Sequence, residues 1–322
     1  MPWCTQSFNF TIHLVIERSA LVGIGAGAQP VYGDRWCWSI MVEFVQGNRA
    51  ESDNKGRLLY LHGDQGRKRP YPGISLIIPA FNEEDRISRA LDSYIPVLKA
   101  TGFPFEILVI MDGNDRTPEI VERYSHLGVT GFTYGSKLGK GGAVAKGVLL
   151  SSHDIVGYVD ADGSLDAGDL AMMLNYALTY DCVVASRWLR ESRWLRKEPL
   201  FNRIASRSFN IIVRGFLGIP VRDTQCGAKF FRSAIVKEVV TRAIVTNRTF
   251  DVDFLYHARR MGARMIEIPV RWSHDEDTRM PIFRVIPIMF LTVLGIRFMN
   301  LPLRRYVPPS VVDFFVRRYA SD

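Results

Sequence analysis

Ile155-Val-Gly-Tyr-Val-Asp-Ala-Asp-Gly163 is an apolar run that ends in two carboxylates one residue apart. A run of this kind, closed by Asp160-Ala-Asp162 and Gly163, predicts a buried strand delivering acids to the carboxyl edge of a sheet, where α/β proteins place ligands. Hard cations such as Mg2+ or Mn2+ take oxygen ligands, and an ion held by one or two carboxylates can also bind a diphosphate. Asp-x-Asp alone is common, and a solvated turn at a strand end explains it as well, so its surroundings decide the reading.

Outward from this stretch, short apolar runs alternate with helix-length amphipathic segments, the pattern of βα units around a mainly parallel sheet. Strands are predicted at Ile74 to Pro79, Phe105 to Met111, Ile155 to Asp160, Cys182 to Ala185, Ala228 to Arg232 and Arg264 to Val270. Helices are predicted at Glu84 to Leu98, from Thr117 as N-cap with Pro118 following, and at Gly142 to Ser152. Further helices are expected at Ala167 to Tyr180 behind an Asp166 cap, at Phe201 to Leu217 and at Phe250 to Met261.

Three other turns gather at the same predicted edge. Pro79-Ala80-Phe-Asn82-Glu83-Glu84 closes the first strand, and Asp112 and Asp115 close the second. Gly135-Ser-Lys-Leu-Gly-Lys140-Gly-Gly142 is a glycine-rich turn opening a helix, with Lys140 placed to meet a diphosphate. It is not a P-loop, because three residues rather than four separate its first glycine from Gly-Lys and no Ser or Thr follows. One acidic turn is explained as a helix cap; several of them together with a Gly-Lys-Gly loop are not.

With 322 residues, 47% of them hydrophobic and 23% charged, the chain can bury a full core. Lys and Arg exceed Asp and Glu by 41 to 33, a net charge of +8 that favours anionic partners. No nucleic-acid recognition motif accompanies that charge, so nucleic acid is not the expected partner. The cysteines, Cys4, Cys37, Cys182 and Cys226, lie far apart with no Cys-x-x-Cys, and no histidine pair has zinc-ligand spacing, so zinc hydrolysis and a disulfide framework are both disfavoured.

Residues 1–70 are expected to be an extension, without a signal peptide at Phe8 to Ile24, ending in a polar linker from about Arg49. The main domain is expected over 71–275. Residues 276–322 are expected to form a basic, apolar segment. Within it, Val285 to Ile296 spans about 18 Å as a helix against roughly 30 Å of hydrocarbon, too short to cross a bilayer. Flanked by Arg279, Arg284, Arg297, Arg304, Arg305, Arg317 and Arg318, it is expected to lie on a membrane surface as an amphipathic helix, although packing against the sheet is the alternative.

Pro79-Ala-Phe-Asn-Glu, Met-Asp112-Gly-Asn, Gly-Lys140-Gly-Gly, Asp160-Ala-Asp162-Gly, Ala-Ser-Arg187 and Arg222-Asp-Thr-Gln-Cys-Gly227 occur in an order that resembles the inverting GT-A glycosyltransferases that load polyprenyl phosphates. Asp223-Thr-Gln-Cys-Gly-Ala-Lys-Phe-Phe231 and Phe250-Asp-Val-Asp253 are most similar to the dolichyl-phosphate β-glucosyltransferases. The resemblance covers about Ile74 to Arg305. It implies a GT-A, Rossmann-like sheet flanked by helices, and transfer of a sugar from a nucleotide sugar, UDP-glucose rather than GDP-mannose, to dolichyl or polyprenyl phosphate. It further implies that Ala80, Asn82, Glu83, Asp112, Lys140 and Asp160 border the donor, and that Asp162 with Asp160 holds Mg2+ or Mn2+. Arg187, Arg203 and Arg207 would grip the lipid phosphate, while Asp223 and Gln225 would face the sugar or acceptor. The work would be done at the cytoplasmic face of a membrane by a peripheral or monotopic protein.

The chain departs from the family's usual pattern where Met111 replaces an acid, a change that bears on the base and ribose contacts, and at Ala228, where an aromatic is usual. A processive polysaccharide synthase would need Gln-x-x-Arg-Trp, but Ile268 precedes Arg271-Trp272 where Gln belongs. A dolichyl-phosphate mannosyltransferase and a catalytically silent nucleotide-sugar binder at the membrane surface remain as competing readings.

Overall fold

The computed structural model describes residues 72–196, 200–273, 282–301 and 310, together with two short strands before them. The chain separates into two compact units, Met1–Arg69 and Pro70–Asp322. In the first, Ala50–Ser52 (β1) and Leu58–Tyr60 (β2) pair antiparallel within what the sequence presents as a polar linker. The Phe8 to Ile24 segment lies outside the described residues, as do Arg279, Arg304, Arg305, Arg317 and Arg318.

The second unit runs through Ile74–Ala80 (β3), Ile87–Ala100 (α1), Phe105–Met111 (β4), Thr117–Glu122 (α2), Val129–Thr133 (β5), Gly139–Leu150 (α3), Ile155–Tyr158 (β6), Ala167–Ala177 (α4) and Cys182–Ser186 (β7). It continues with Arg193–Arg196 (β8), Leu200–Leu217 (α5), Lys229–Arg232 (β9), Ser233–Arg242 (α6), Phe250–Arg260 (α7), Met265–Pro269 (β10), Arg271–Ser273 (β11) and Ile282–Met299 (α8).

Seven strands form one sheet in the order β10-β7-β9-β6-β3-β4-β5. All neighbours run parallel except β9, which is antiparallel to both β6 and β7. Successive residues of β3 face opposite layers, as strand geometry requires: Leu76 and Ile78 join the layer containing Leu91 and Tyr94 of α1, and Ile77 joins the layer containing Val144 of α3 and Phe254 of α7. Both faces are therefore covered, which explains why the parallel strands read as nearly continuous apolar runs.

The chain proceeds from β3 outward through β4 and β5, then returns to the other flank of β3 as β6. The reversal makes the carboxyl ends of β3 and β6 a topological switch point, the place where open α/β sheets leave a crevice. Asn82 and Glu83 follow one of these strands, and Asp160 and Asp162 follow the other. Because β9 runs the opposite way, its beginning, not its end, reaches this edge and brings the Asp223 to Gly227 segment with it.

Several local expectations are corrected. The first helix starts at Ile87 rather than Glu84, because the Glu84 carboxylate is engaged by the backbone N–H and side chain of Arg116. Thr117 does not cap its helix, since its hydroxyl accepts the Glu83 N–H at 2.9 Å and so ties the two turns together. Asp166 caps α4 as expected, accepting the Gly168 N–H at 2.8 Å. Strands β5, β8 and β11 and helix α6 were not anticipated. They are short or mixed in polarity, and periodicity is weak over such spans.

Helix α8 packs on α5 and α7, burying Thr292, Val293 and Ile296 while leaving Ile288, Phe290, Leu291 and Phe298 exposed. Pro287 lies inside it without ending it.

Candidate active site

Asp160 and Asp162 leave the end of β6 together. Asp160 Oδ1 lies 2.6 Å from Lys140 Nζ in the first turn of α3, so the glycine-rich turn delivers its lysine to the acid strand. Burial works against the Lys140 ammonium, but Asp160 and Asp251 outweigh it and hold the pKa above the ordinary lysine value. Asp162 accepts the Ser164 N–H at 2.9 Å, yet burial and the neighbouring Asp160 charge raise its carboxyl above the usual range. Glu83 belongs to the same acidic group: burial pushes it up to about 7, with Asp162 and Asp160 adding to the shift, despite Arg86 at 2.7 Å.

The turn after β3 is held in an unusual conformation. Asn82 has φ of +56°, a left-handed value that costs a side-chain-bearing residue energy. Its Oδ1 accepts the Asn114 N–H at 2.9 Å, and a Cβ on Gly113 would sit only 2.2 Å from that oxygen. Glycine at 113 is thus what allows the β3 and β4 turns to touch. Ala80 ends β3 opposite Met111, and its carbonyl accepts the Asp112 N–H. Asp112 Oδ2 accepts the Leu138 N–H at 2.7 Å and braces the start of the Gly-Lys-Gly helix. Asp115 accepts the N–H groups of Glu84 and Thr117, so this acid and Glu84 hold the turn together.

Opposite the acids, Arg187 follows β7 and Asp223 precedes β9. Asp223 is fully buried; burial would raise its carboxyl, but Arg187 outweighs that and lowers it. Its backbone N–H donates to Glu267 Oε1 at 3.0 Å. The Arg187 guanidinium also lies 5.8 Å from the ring centres of both Trp194 in β8 and Trp272 in β11, within cation–π reach. Arg203 stacks over Trp194 at 5.6 Å and Arg207 over Trp188 at 5.7 Å, so the three arginines expected at the acceptor join one arginine–tryptophan layer.

Of the eight side-chain polar atoms that are buried without a hydrogen-bond partner among the described residues, three lie in these segments: Trp188 Nε1, Arg203 Nε and Gln225 Nε2. All three are donors, and leaving buried donors unpaired is costly. A Cβ on Gly227 would lie 2.0 Å from Asp160 Oδ2, so only glycine lets the 223–227 segment come this close to the acid strand.

Sequence reasoning missed Lys229, Asp251 and Tyr158. Lys229 Nζ, wholly buried, donates to Asp251 Oδ1 at 2.5 Å and to the Cys226 carbonyl at 2.7 Å, and the Tyr158 hydroxyl donates to the same Asp251 oxygen. The signal was available as a lysine inside the apolar run Lys229-Phe-Phe231 and an aspartate opening the apolar helix at Phe250. Asp253, in that same helix turn, accepts the N–H groups of Ile244 and Val245. The roles of the tryptophans were also missed, since Trp188 lies in a loop and Trp194 and Trp272 lie in strands of three or four residues, too short to carry a periodic signal.

Comparison with known proteins agrees with this geometry. A dolichyl-phosphate beta-glucosyltransferase of Trichomonas vaginalis is 32% identical over 232 residues, covering 66% of this chain and 70% of the relative. The Dictyostelium discoideum protein of that name is 29% identical, covering 70% and 74%, and the Homo sapiens one is 26% identical, covering 66% and 71%. Among solved structures, the Mycobacterium tuberculosis glucosyl-3-phosphoglycerate synthase in complex with UDP superposes with a TM-score of 0.53 at 18% identity, over 72% of this chain and 82% of that one. The likeness establishes the GT-A fold. The profile of glycosyl transferase family 2 matches residues 75–240, which hold every acid and lysine described above up to the Asp223 segment and Lys229, and the chain belongs to that family.

Proposed function

We propose that this chain transfers glucose from UDP-glucose to dolichyl phosphate, inverting the anomeric carbon. The observation that carries the reading is the set of buried, unpaired N–H donors on Trp188, Arg203 and Gln225 beside the Arg187–Asp223 pair. A phosphate monoester offers acceptors only, and so answers that demand. The names of the relatives supply the sugar and the lipid. The mannosyl alternative gains no support from these relatives, and the Asp160–Asp162 pair with Lys140 argues against a silent binder.

Asp162 and Asp160 would hold a divalent ion. They fit one: burial and mutual repulsion raise Asp162, and a cation relieves both costs. Among the described residues no group of three or more candidate ligands gathers, and Mg2+ usually completes its shell with substrate phosphates and water. When bound, such an ion neutralises charge on a departing diphosphate. Mn2+ and UDP accompany the M. tuberculosis synthase in its solved complexes.

Lys140 adds a second positive charge where the leaving diphosphate would lie, and Asn82, Glu83 and Asp112 shape the donor side. On the acceptor side, two of the Arg187 donors are engaged by Asp223. In this reading Arg187 therefore contributes fixed positive charge, while Arg203, Arg207, Trp188 and Gln225 supply hydrogen bonds. A lipid phosphate is already ionised near neutral pH, so the displacement needs alignment and charge stabilisation rather than a strong general base.

The acceptor's chain requires a membrane, and among the described residues no helix is long and apolar enough to cross one. Exposed Ile211, Ile212 and Phe216 on α5 and Ile288, Phe290, Leu291 and Phe298 on α8 form the apolar surface proposed to rest on its cytoplasmic face. Incubation of purified protein and Mn2+ with radiolabelled UDP-glucose, with and without dolichyl phosphate, tests the function. Label should enter the organic phase only with the lipid. Preferential use of GDP-mannose, or no lipid product, would overturn the reading.

A further inference from the structure

Lys229, Asp251 and Tyr158 form a closed ionic cluster beneath the site, in a layer otherwise built of apolar side chains such as Phe231, Phe250 and Phe254. Lys229 is 0% and Asp251 2% exposed. Stability does not explain such a pair, because desolvating two charges costs about as much as their attraction returns, and apolar residues of similar volume are often as good or better. What the pair supplies is fixed geometry.

That geometry reaches three segments. Tyr158 ends β6 two residues before Asp160, and its hydroxyl donates to Asp251. Lys229 holds the Cys226 carbonyl, and the adjoining Gly227 lies against the Asp160 carboxylate. Asp251 opens α7, whose first residue Phe250 would collide with a Cβ on Gly141, next to Lys140 in α3. The Gly141 N–H is fixed in turn by the Thr246 carbonyl at 2.8 Å. Asp251 thus stands where the acid strand, the lysine turn and the 223–227 segment meet.

We propose that Lys229, Asp251 and Tyr158 are positioning residues that set Asp160 and Lys140 on the donor side against the Arg187–Asp223 pair on the acceptor side. The proposal rests on the functional reading above and deepens it by separating alignment from binding. A misplacement of about 1 Å at a reacting centre costs on the order of 100-fold in rate, while binding of each substrate depends mostly on groups the cluster does not touch.

The test compares the wild-type chain with Tyr158→Phe, Lys229→Met, and the pair Lys229→Met with Asp251→Leu. The readouts are melting temperature, UDP affinity in Mn2+ by calorimetry, and kcat and KM for glucosyl transfer. Lys229→Met alone should lower the melting temperature, because it strands a buried carboxylate. Adding Asp251→Leu should restore the melting temperature and keep UDP affinity within about 3-fold, yet leave kcat roughly 100-fold down. If stability and kcat return together, the cluster is packing only and the proposal fails. Should the paired variant not fold, Tyr158→Phe decides: a kcat about 10-fold down at wild-type melting temperature supports the proposal, and a wild-type kcat overturns it. A wild type that binds UDP but makes no glucosyl lipid would instead defeat the functional reading, a result distinct from active variants.

Discussion

Arg187 and Asp223 meet fork to fork, with Arg187 Nε 2.8 Å from one carboxylate oxygen and Nη2 3.0 Å from the other, while the Arg187 backbone N–H adds a third bond at 2.9 Å. The pair joins the end of β7 to the start of β9. Lysine cannot reproduce a planar two-donor contact. Arg187→Lys should therefore lower kcat/KM for dolichyl phosphate by about 100-fold, with the KM for UDP-glucose nearly unchanged. It should also cost several degrees of melting temperature, because Asp223 keeps its burial but loses a partner. Steady-state kinetics with each substrate varied checks this, and equal losses for both would assign Arg187 to the donor diphosphate.

Asp162→Asn should reduce divalent-dependent transfer by about 1,000-fold or more, without harming the fold. Burial and the Asp160 charge disfavour the ionised Asp162, so the neutral side chain should leave the melting temperature equal or higher in metal-free buffer. Activity across an Mn2+ titration, with thermal melts in chelator, tests both halves. Full activity of the variant would remove Asp162 from the ion's shell.

Glu83 gives a pH signature. Its carboxyl is raised from 4.5 in the free state to about 7 by burial. Between these pH values the unfolded chain holds fewer protons than the folded one, so this group makes stability fall as pH rises. In chelator, the wild type should lose melting temperature between pH 4.5 and 7 relative to Glu83→Gln, in which that component is absent. Parallel curves for the two proteins would contradict the shift.

On the face proposed to meet the membrane, Ile288 and Phe290 are 44% and 38% exposed, whereas Val293 and Ile296 of the same helix are buried. Deleting α8 would therefore damage the core, and point changes make the cleaner test. Ile288→Glu with Phe290→Glu should reduce co-sedimentation with anionic vesicles at least about tenfold at an unchanged melting temperature. Undiminished binding would move the docking surface elsewhere.

The sheet was legible in the sequence where strands are buried on both faces. Ile74 to Ala80, Phe105 to Met111 and Cys182 to Ser186 announce themselves as apolar runs, and their ends carry the acids and Arg187. The polarity of β9 was not legible, because nothing in Lys229-Phe-Phe-Arg232 distinguishes a parallel from an antiparallel neighbour. Nor was the partnering of side chains. Arg187 reads as a free grip for phosphate, yet its fork is met by Asp223, which lies 36 positions away in sequence. Asp115 and Glu84 read as ligand-facing acids but brace the turn between β3 and β4. Pairing across distant segments leaves no local pattern.

The reversed strand β9 also bears on how the chain is made. It lies between β6 and β7, which do not pair with each other. Until residues 229–232 have been synthesised and inserted, both of those strands carry an open edge of unpaired N–H and C=O groups, a surface prone to wrong partners. The middle of the sheet therefore closes only after β3 to β7 have all been made, through pairings such as Ile155 with Arg232 and Cys182 with Phe231 that span long stretches of chain. Contacts so distant in sequence slow folding. A nascent chain that stopped short of β9 would hold the β6-β3-β4-β5 sheet and an unpaired β7, with Asp160 and Asp162 following the one and Arg187 following the other.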